Sequence, residues 1–73
     1  MTGRVVDGRG LMPPEPMRRA LAALTALPPG EELTLLLYRE PFPLYAVLDR
    51  DGYVHATELE RDGTYRIRIR LGR

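Results

Sequence analysis

Residues 53–71 read YVHATELERDGTYRIRIRL, in which apolar and polar side chains alternate on both sides of a short turn sequence. Alternation with a period of two predicts strands with one covered face, here over residues 53–60 and 64–71. The dipeptide Asp62-Gly63 between them is a strong signal for a hairpin turn. These residues therefore predict a β-hairpin.

Two turns are compatible with this hairpin. A two-residue turn would pair Leu59 with Arg66, whereas a three-residue loop would pair Leu59 with Tyr65 and hold Gly63 in the left-handed conformation. We prefer the second register because it separates apolar from charged side chains and sets Glu58 opposite Arg66, a pair worth about 0.2–1 kcal/mol. One face then carries Tyr53, His55, Thr57, Leu59, Tyr65, Ile67, Ile69 and Leu71. The other face carries Val54, Ala56, Glu58, Arg66, Arg68 and Arg70.

The segments that precede the hairpin predict two helices and two more strands. Residues 43–48 suit a short second helix that begins at Pro43 and is capped at Gly52. Residues 33–38, LTLLLY, form an apolar run typical of a strand that is covered on both sides or central in a sheet. Apolar residues with a helical period predict an amphipathic first helix, namely Met17, Ala20, Leu21, Leu24 and Leu27.

The first helix has clear boundary signals, and a short strand precedes it. Prolines favour its first turn, namely Pro13, Pro14 and Pro16, and the PPG sequence at residues 28–30 ends it. Residues 4–7, RVVD, are a short β-like run. The predicted order is β-α-β-α-β-β over a single domain, residues 1–73, with a parallel strand pair and a closing hairpin. We therefore expect a two-layer α/β sandwich with a mixed four-stranded sheet and both helices on one face.

Composition removes several classes of chemistry. The chain has no Cys and one His, His55, which disfavours a zinc cluster, and no cofactor or metal site is predicted. Ser and Lys are also absent, so the common side-chain nucleophiles are missing. Asp49 and Asp51 lack the spacing of a calcium loop and are interpreted as polar residues at a helix end.

Charge and hydropathy favour a cytoplasmic protein. The formal net charge is +1, and no run approaches the length of a membrane span. The first residues lack the apolar core of a signal peptide. Asn, Gln and Cys are missing and all 11 cations are Arg, which suggests a thermophilic bacterium with a GC-rich genome.

The start of the first helix resembles a known family. Residues 7–11, DGRGL, followed by residues 12–17, MPPEPM, are similar to the TusA/SirA-like superfamily, which has an Asp, a turn, Gly-Leu and a Cys-Pro-x-Pro motif there. Pro14 and Pro16 match the two family prolines, whereas Pro13 occupies the position of the sulfur-accepting Cys. Persulfide transfer needs a thiolate, so this chain cannot carry it.

An uncharacterised branch of that superfamily, the family of unknown function 2249, resembles the chain over nearly its whole length. The similar segments are residues 9–11 (RGL), 13–17 (PPEPM), 29–31 (PGE), 41–45 (PFPLY) and 62–65 (DGTY). The resemblance implies a βαβαββ fold. Related domains occur beside hemerythrin-like and other small metal-binding proteins, which implies a protein partner from a redox or metal-binding system only by association.

Two surfaces are candidates for partner binding. The first is the helix start, with Arg9, Leu11, Met12 and Pro13, where helix dipole and free N–H groups favour an anion but the prolines and Glu15 oppose one. The second is the Arg row, with Arg66, Arg68, Arg70 and Arg73. That row is either a solvated face or a docking surface for an acidic partner or RNA. RNA is disfavoured because no stacking aromatic shares the face.

Three further features have both a structural and a functional interpretation. For His55 we favour a hydrogen-bonded packing role over catalysis with a nearby carboxylate. We interpret Asp7 as a turn cap. In residues 41–45 we expect Phe42 and Leu44 to fill the core, the alternative being an apolar lip that grips a ligand or partner.

These observations favour a non-catalytic binding or adaptor module on a sulfur-carrier-like scaffold. The alternatives are a small-ligand sensor or minor enzyme that uses His55, and RNA binding by the Arg66/Arg68/Arg70 face. The open sheet face would gain stability if a second copy covered it, so a homodimer remains an open alternative to a monomer.

Overall fold

The computed structural model describes residues 4–72. The elements are β1 (Arg4–Asp7), α1 (Glu15–Thr25), β2 (Leu33–Leu37), α2 (Phe42–Arg50), β3 (Tyr53–Leu59) and β4 (Tyr65–Leu71). This order is the one that the sequence predicts. The expectations that concern the first three residues and Arg73 lie outside the described residues.

The four strands form one mixed sheet in the order β1-β2-β4-β3. β1 runs parallel to β2, and the β2–β4 and β4–β3 pairs are antiparallel. β2 therefore lies inside the sheet, as its apolar sequence predicts. Its Leu33, Leu35 and Leu37 are buried, whereas Thr34 and Leu36 on the opposite face are half-buried.

The hairpin has the register of the three-residue loop. Leu59 pairs with Tyr65 and Glu58 with Arg66, so the two-residue alternative is wrong. Gly63 has a φ of 91°, in the left-handed region, where a residue with a Cβ is strained. The Glu60 N–H donates to the Thr64 carbonyl oxygen at 2.8 Å, which closes the loop.

A single core lies between the sheet and the two helices. Its buried members are Ala20, Leu24, Leu33, Leu35, Leu37, Leu44, Leu48, Ile67 and Ile69. Both helices contribute to this cluster, so both cover the same face of the sheet, as expected. The opposite face is open and carries the exposed Val5, Val54 and Arg68.

The helix boundaries differ slightly from the expected ones. α1 begins at Glu15 and ends at Thr25, just before the PPG sequence, and Pro14 precedes it without a side-chain cap. α2 begins at Phe42, one residue before the proline that was expected to start it, and Gly52 follows its end with a φ of 83°. None of the helices in the described part of the chain is long and apolar enough to cross a bilayer.

The expectation for Phe42 is wrong. Leu44 is buried as expected, with 1% of its surface exposed, but Phe42 is 66% exposed. The reason is its position in the first turn of α2, one residue before the proline, where the ring projects outward. It contacts the edge of the Tyr45 ring, with ring centres 5.8 Å apart and planes at 87°.

Candidate functional site

A cleft of about 800 Å³ opens where the start of α1, the end of β2 and the start of α2 meet. We refer to it as the helix-start cleft. Leu11, Met12 and Pro13 line it from the loop before α1. Tyr38 and Pro41 line it from the segment between β2 and α2. The cleft is of a size that accommodates a small ligand or a few side chains.

Prolines give the helix-start cleft a stiff wall. Five of its lining residues are prolines, on two separate segments, namely Pro13, Pro14, Pro16, Pro41 and Pro43. Each fixes its own φ and restricts the residue before it, so neither segment has much freedom to collapse into the cleft. The same prolines that allow both helices to begin here therefore keep the cleft open.

Exposed apolar side chains gather around the cleft. Met12 is 79% and Tyr38 57% exposed, and both line it. Phe42, 66% exposed, lies between two lining prolines. Contiguous exposed apolar surface with few charges is typical of an interaction site rather than of ordinary surface.

Two charged residues, Arg39 and Glu40, complete the lining. Glu40 is half-buried, and the Tyr45 hydroxyl donates to its Oε2 at 3.0 Å. The Tyr45 hydroxyl also bonds to Thr57 Oγ1. Arg39 is exposed and has no ion pair within residues 4–72. The cleft thus has one positioned carboxylate and one exposed cation in a mostly apolar setting.

His55 supports Tyr45 from the other side. The two rings stack with centres 4.7 Å apart and planes at 2°, and His55 Nε2 lies 2.9 Å from Asp49 Oδ1. Burial, opposed by the Thr57 hydrogen bond and reinforced by Glu40, raises the pKa of Tyr45. His55 thus has the hydrogen-bonded packing environment that we favoured. Asp49 supplies the nearby carboxylate of the alternative, but neither residue lines the helix-start cleft.

Arg9 lies beside the cleft rather than in its lining. Its Nε and Nη2 donate to the two carboxylate oxygens of Asp7, both at 2.9 Å, and its Nη1 donates to the buried Thr64 Oγ1 at 3.4 Å. The Asp7 carboxylate also accepts the Arg9 backbone N–H at 3.1 Å, which confirms Asp7 as a turn cap. These hydrogen bonds hold the pKa of Asp7 at about 2 and raise that of Arg9.

Arg66, Arg68 and Arg70 of the Arg row lie on the open face of the sheet, away from the cleft. Arg66 Nε is 2.6 Å from Glu60 Oε2, and Arg68 Nη2 is 3.6 Å from Glu58 Oε1. The expected register is correct, but these ion pairs are diagonal rather than between Glu58 and Arg66. Long side chains reach diagonal neighbours across a hairpin readily. Arg70 has no ion pair among the residues that the structure describes.

The structure thus separates the predicted site residues into two surfaces. It brings Leu11, Met12 and Pro13 together in the helix-start cleft. The described members of the Arg row, Arg66, Arg68 and Arg70, lie on the opposite side of the sheet. Sequence reasoning missed Arg39 and Glu40, which lie in the segment between β2 and α2. The sequence feature that could have indicated them is the pair Pro41 and Pro43 just after them. Binding residues are common on loops that a rigid scaffold positions.

Apolar residues and glycines make up most of the helix-start cleft. Its lining contains no Ser, Cys, Lys or His, and the chain has no Cys at all. Within residues 4–72, no group of three or more His, Cys, Asp or Glu side chains converges as a metal site would require. What the cleft offers is apolar surface, a tyrosine ring and two charged groups.

Known proteins share both the sequence pattern and the fold. The sequence profile of a family described as "Uncharacterized conserved protein (DUF2249)" matches residues 5–71. The crystal structure of a SirA-like protein from Desulfitobacterium hafniense superposes with a TM-score of 0.79 at 26% sequence identity, covering 94% of this chain and 97% of that one. A comparison with curated proteins finds no significant match.

Proposed function

This chain belongs to the DUF2249 family of uncharacterized conserved proteins and has a SirA-like fold, and from that premise we propose that it is a non-catalytic binding module. Its helix-start cleft would receive an apolar segment of a partner protein. The observation that carries this proposal is the cleft itself, stiff, apolar and open, at the position where the resemblance to sulfur carriers puts the reactive Cys. Here that position is Pro13.

A protein segment fits the exposed rim better than a small molecule does. A small ligand is usually enclosed by its pocket, whereas Met12 and Tyr38, which line this cleft, keep more than half of their surface exposed. Met and aromatic residues are enriched in the central part of protein interfaces. The prolines keep these segments ordered before binding, which lowers the entropic cost of association.

The proposal can be tested by affinity capture from a nuclease-treated lysate of the source organism with matched variants. Met12→Glu puts a charge in the cleft, and Val5→Glu puts the same charge on the open sheet face at a residue that is also exposed. A partner identified by mass spectrometry should be retained by the wild type and by Val5→Glu, and lost by Met12→Glu. The same partner, once purified, should show the same order of affinity in calorimetry.

A variant of the Arg row separates the competing surface. Arg68→Glu should leave partner binding intact, since Arg68 lies on the opposite face of the sheet. If Arg68→Glu abolishes binding while Met12→Glu does not, the Arg row is the docking surface and the cleft proposal fails. Cooperative thermal unfolding of all three variants is the check that each one is folded.

A second candidate function rests on the contact between His55 and Asp49. A His held by a carboxylate at 2.9 Å can act as a general base or sense protonation. In that case His55→Gln would abolish turnover or ligand response in the purified protein. Under the binding-module proposal the same variant retains its partner, and turnover is absent from the wild type as well.

A further inference from the structure

Glu40 places a carboxylate among mostly apolar residues. It lines the helix-start cleft, and its Oε2 accepts the Tyr45 hydroxyl. No hydrogen bond within residues 4–72 involves its Oε1. The carboxylate therefore presents a free acceptor and a negative charge at a half-buried position where water is partly excluded.

Tyr45 gives this carboxylate a fixed position. The Tyr45 ring is stacked on His55, which is held by Asp49, and the Tyr45 hydroxyl is further bound by Thr57. A polar group that is oriented by packed neighbours loses little side-chain freedom on binding a ligand, so more of its interaction appears as affinity. Tyr45 thus acts as a positioning residue for Glu40.

Arg39 is the other charged residue of the lining. Unlike Glu40, it is neither half-buried nor held by a neighbouring side chain among residues 4–72. Its side chain is exposed, and the described residues provide it with no ion pair. An exposed charge without a fixed partner contributes little to affinity, because solvent screens it and its side chain must be ordered on binding. The electrostatic preference of the cleft is therefore set by Glu40.

Resting on the proposed function, we infer that the partner segment carries a cationic group next to its apolar anchor, and that Glu40 selects for it. The anchor would occupy the apolar part of the cleft between the two proline-bearing segments. The cation would pair with the free side of the Glu40 carboxylate. Such a charge-assisted hydrogen bond is stronger than a neutral one and specifies the sign of the partner's charge.

Three small probes with the same apolar part isolate the sign of the charge. They are phenylbutylamine, which is protonated at neutral pH, phenylbutanol and phenylbutanoate. Titrations followed by nitrogen–proton NMR should shift the amides of Leu11, Met12 and Glu40 with all three probes. The amine should bind roughly fivefold more tightly than the alcohol, as a partly exposed ion pair allows, and the carboxylate should bind most weakly.

Glu40→Gln tests the assigned residue directly. Glutamine removes the charge but keeps a carbonyl acceptor for Tyr45, so the cleft should stay intact while the amine loses its advantage over the alcohol. Glu58→Gln is the matched control, because it makes the same change in net charge on the open sheet face and should keep that advantage. Tyr45→Phe should reduce the advantage without removing it, because Glu40 is then less fixed.

The outcomes separate this inference from the proposed function. If the amine and the alcohol bind the wild type equally, or Glu40→Gln keeps the amine preference, Glu40 is not the selecting residue and the inference is wrong, while the cleft remains a binding site. If the carboxylate binds most tightly, the assigned sign of the charge is wrong. If no probe shifts the cleft amides, the inference fails, whereas the proposed function is still decided by partner capture with Met12→Glu and Val5→Glu.

Discussion

At the scale of single residues, Arg9 is a candidate binding residue that also makes structural contacts. Its guanidinium is already engaged by Asp7 and reaches Thr64, next to the hairpin turn. The loop before α1 thereby contacts the β3–β4 hairpin. In a sequence, an Arg in a glycine-rich loop beside a helix start suggests anion binding. In the structure, the guanidinium of Arg9 is paired with the Asp7 carboxylate.

The Asp7–Arg9 pair predicts a pH effect on stability. Because the folded-state pKa of Asp7 is about 2, below its usual 3.8, the pair stabilises the fold above pH 4. That contribution is lost as pH falls from about 4 through 2. Asp7→Asn should therefore be less stable than the wild type at pH 6 and nearly equal to it at pH 2.

Urea unfolding at a series of pH values checks this prediction. The difference between wild type and Asp7→Asn, rather than either curve, is the relevant quantity because other carboxylates titrate too. Arg9→Gln should reproduce the effect, and the double variant should be no worse than either single one. A difference that stays constant from pH 6 to pH 2 would contradict the assigned role of the pair.

At the scale of elements, the hairpin is where sequence was most informative. Its two candidate registers differ by a shift of one residue on one strand. Such a shift moves all the apolar side chains of that strand to the solvent face, so the burial of these side chains decides between the registers. The expected face pattern holds for Ile67 and Ile69, which are fully buried. Leu59 is on the expected face but is 63% exposed, and it lies at the end of β3, next to the exposed loop.

The loop of the hairpin predicts a defined cost for one substitution. Gly63→Ala should lower the free energy of unfolding by about 1–2 kcal/mol, because the left-handed conformation is unfavourable for a residue with a Cβ. Arg61→Ala, in the same loop and also exposed, should change it by no more than about 0.5 kcal/mol. Equilibrium urea unfolding measures both values, and an equal effect of the two substitutions would show that the loop tolerates another conformation.

The helix-start cleft was less accessible to sequence reasoning than the hairpin. The prolines before each helix indicate where α1 and α2 begin, since their effect on the backbone is local. That two such helix starts meet around the end of β2 depends on how the helices pack on the sheet, which no local pattern encodes. Phe42 illustrates the same limit, because aromatic character alone favoured a core position and the turn geometry placed it outside.

At the scale of the whole molecule, the charge distribution argues against RNA. Arg66 and Arg68 are paired with Glu60 and Glu58, so Arg70 is the member of the described row without an ion pair. We expect weak binding of a single-stranded RNA oligomer, and a log–log salt slope of about −1 or shallower. Fluorescence polarisation at several salt concentrations measures this, and a steep slope would revive the RNA alternative.

Several whole-molecule expectations stay predictions. A thermophilic source, a cytoplasmic location and a homodimer formed through the open sheet face each rest on composition or on the uncovered face. Sedimentation of the purified protein tests the last of these, with Val54→Glu as a variant that should weaken a dimer without entering the core, because Val54 is 43% exposed.

The central position of β2 also bears on how the chain reaches its native state. The β3–β4 hairpin joins neighbouring segments, so its contacts cost little loop entropy and can form early, whereas β2 must find β4 across the chain and β1 can add only to β2. A destabilising substitution in the hairpin and one in β1 should then affect different rates. In stopped-flow measurements Ile67→Val should mainly slow refolding, and Val6→Ala should mainly speed unfolding. The opposite assignment would mean that the parallel pair is the nucleus, and that the edge strand organises the sheet.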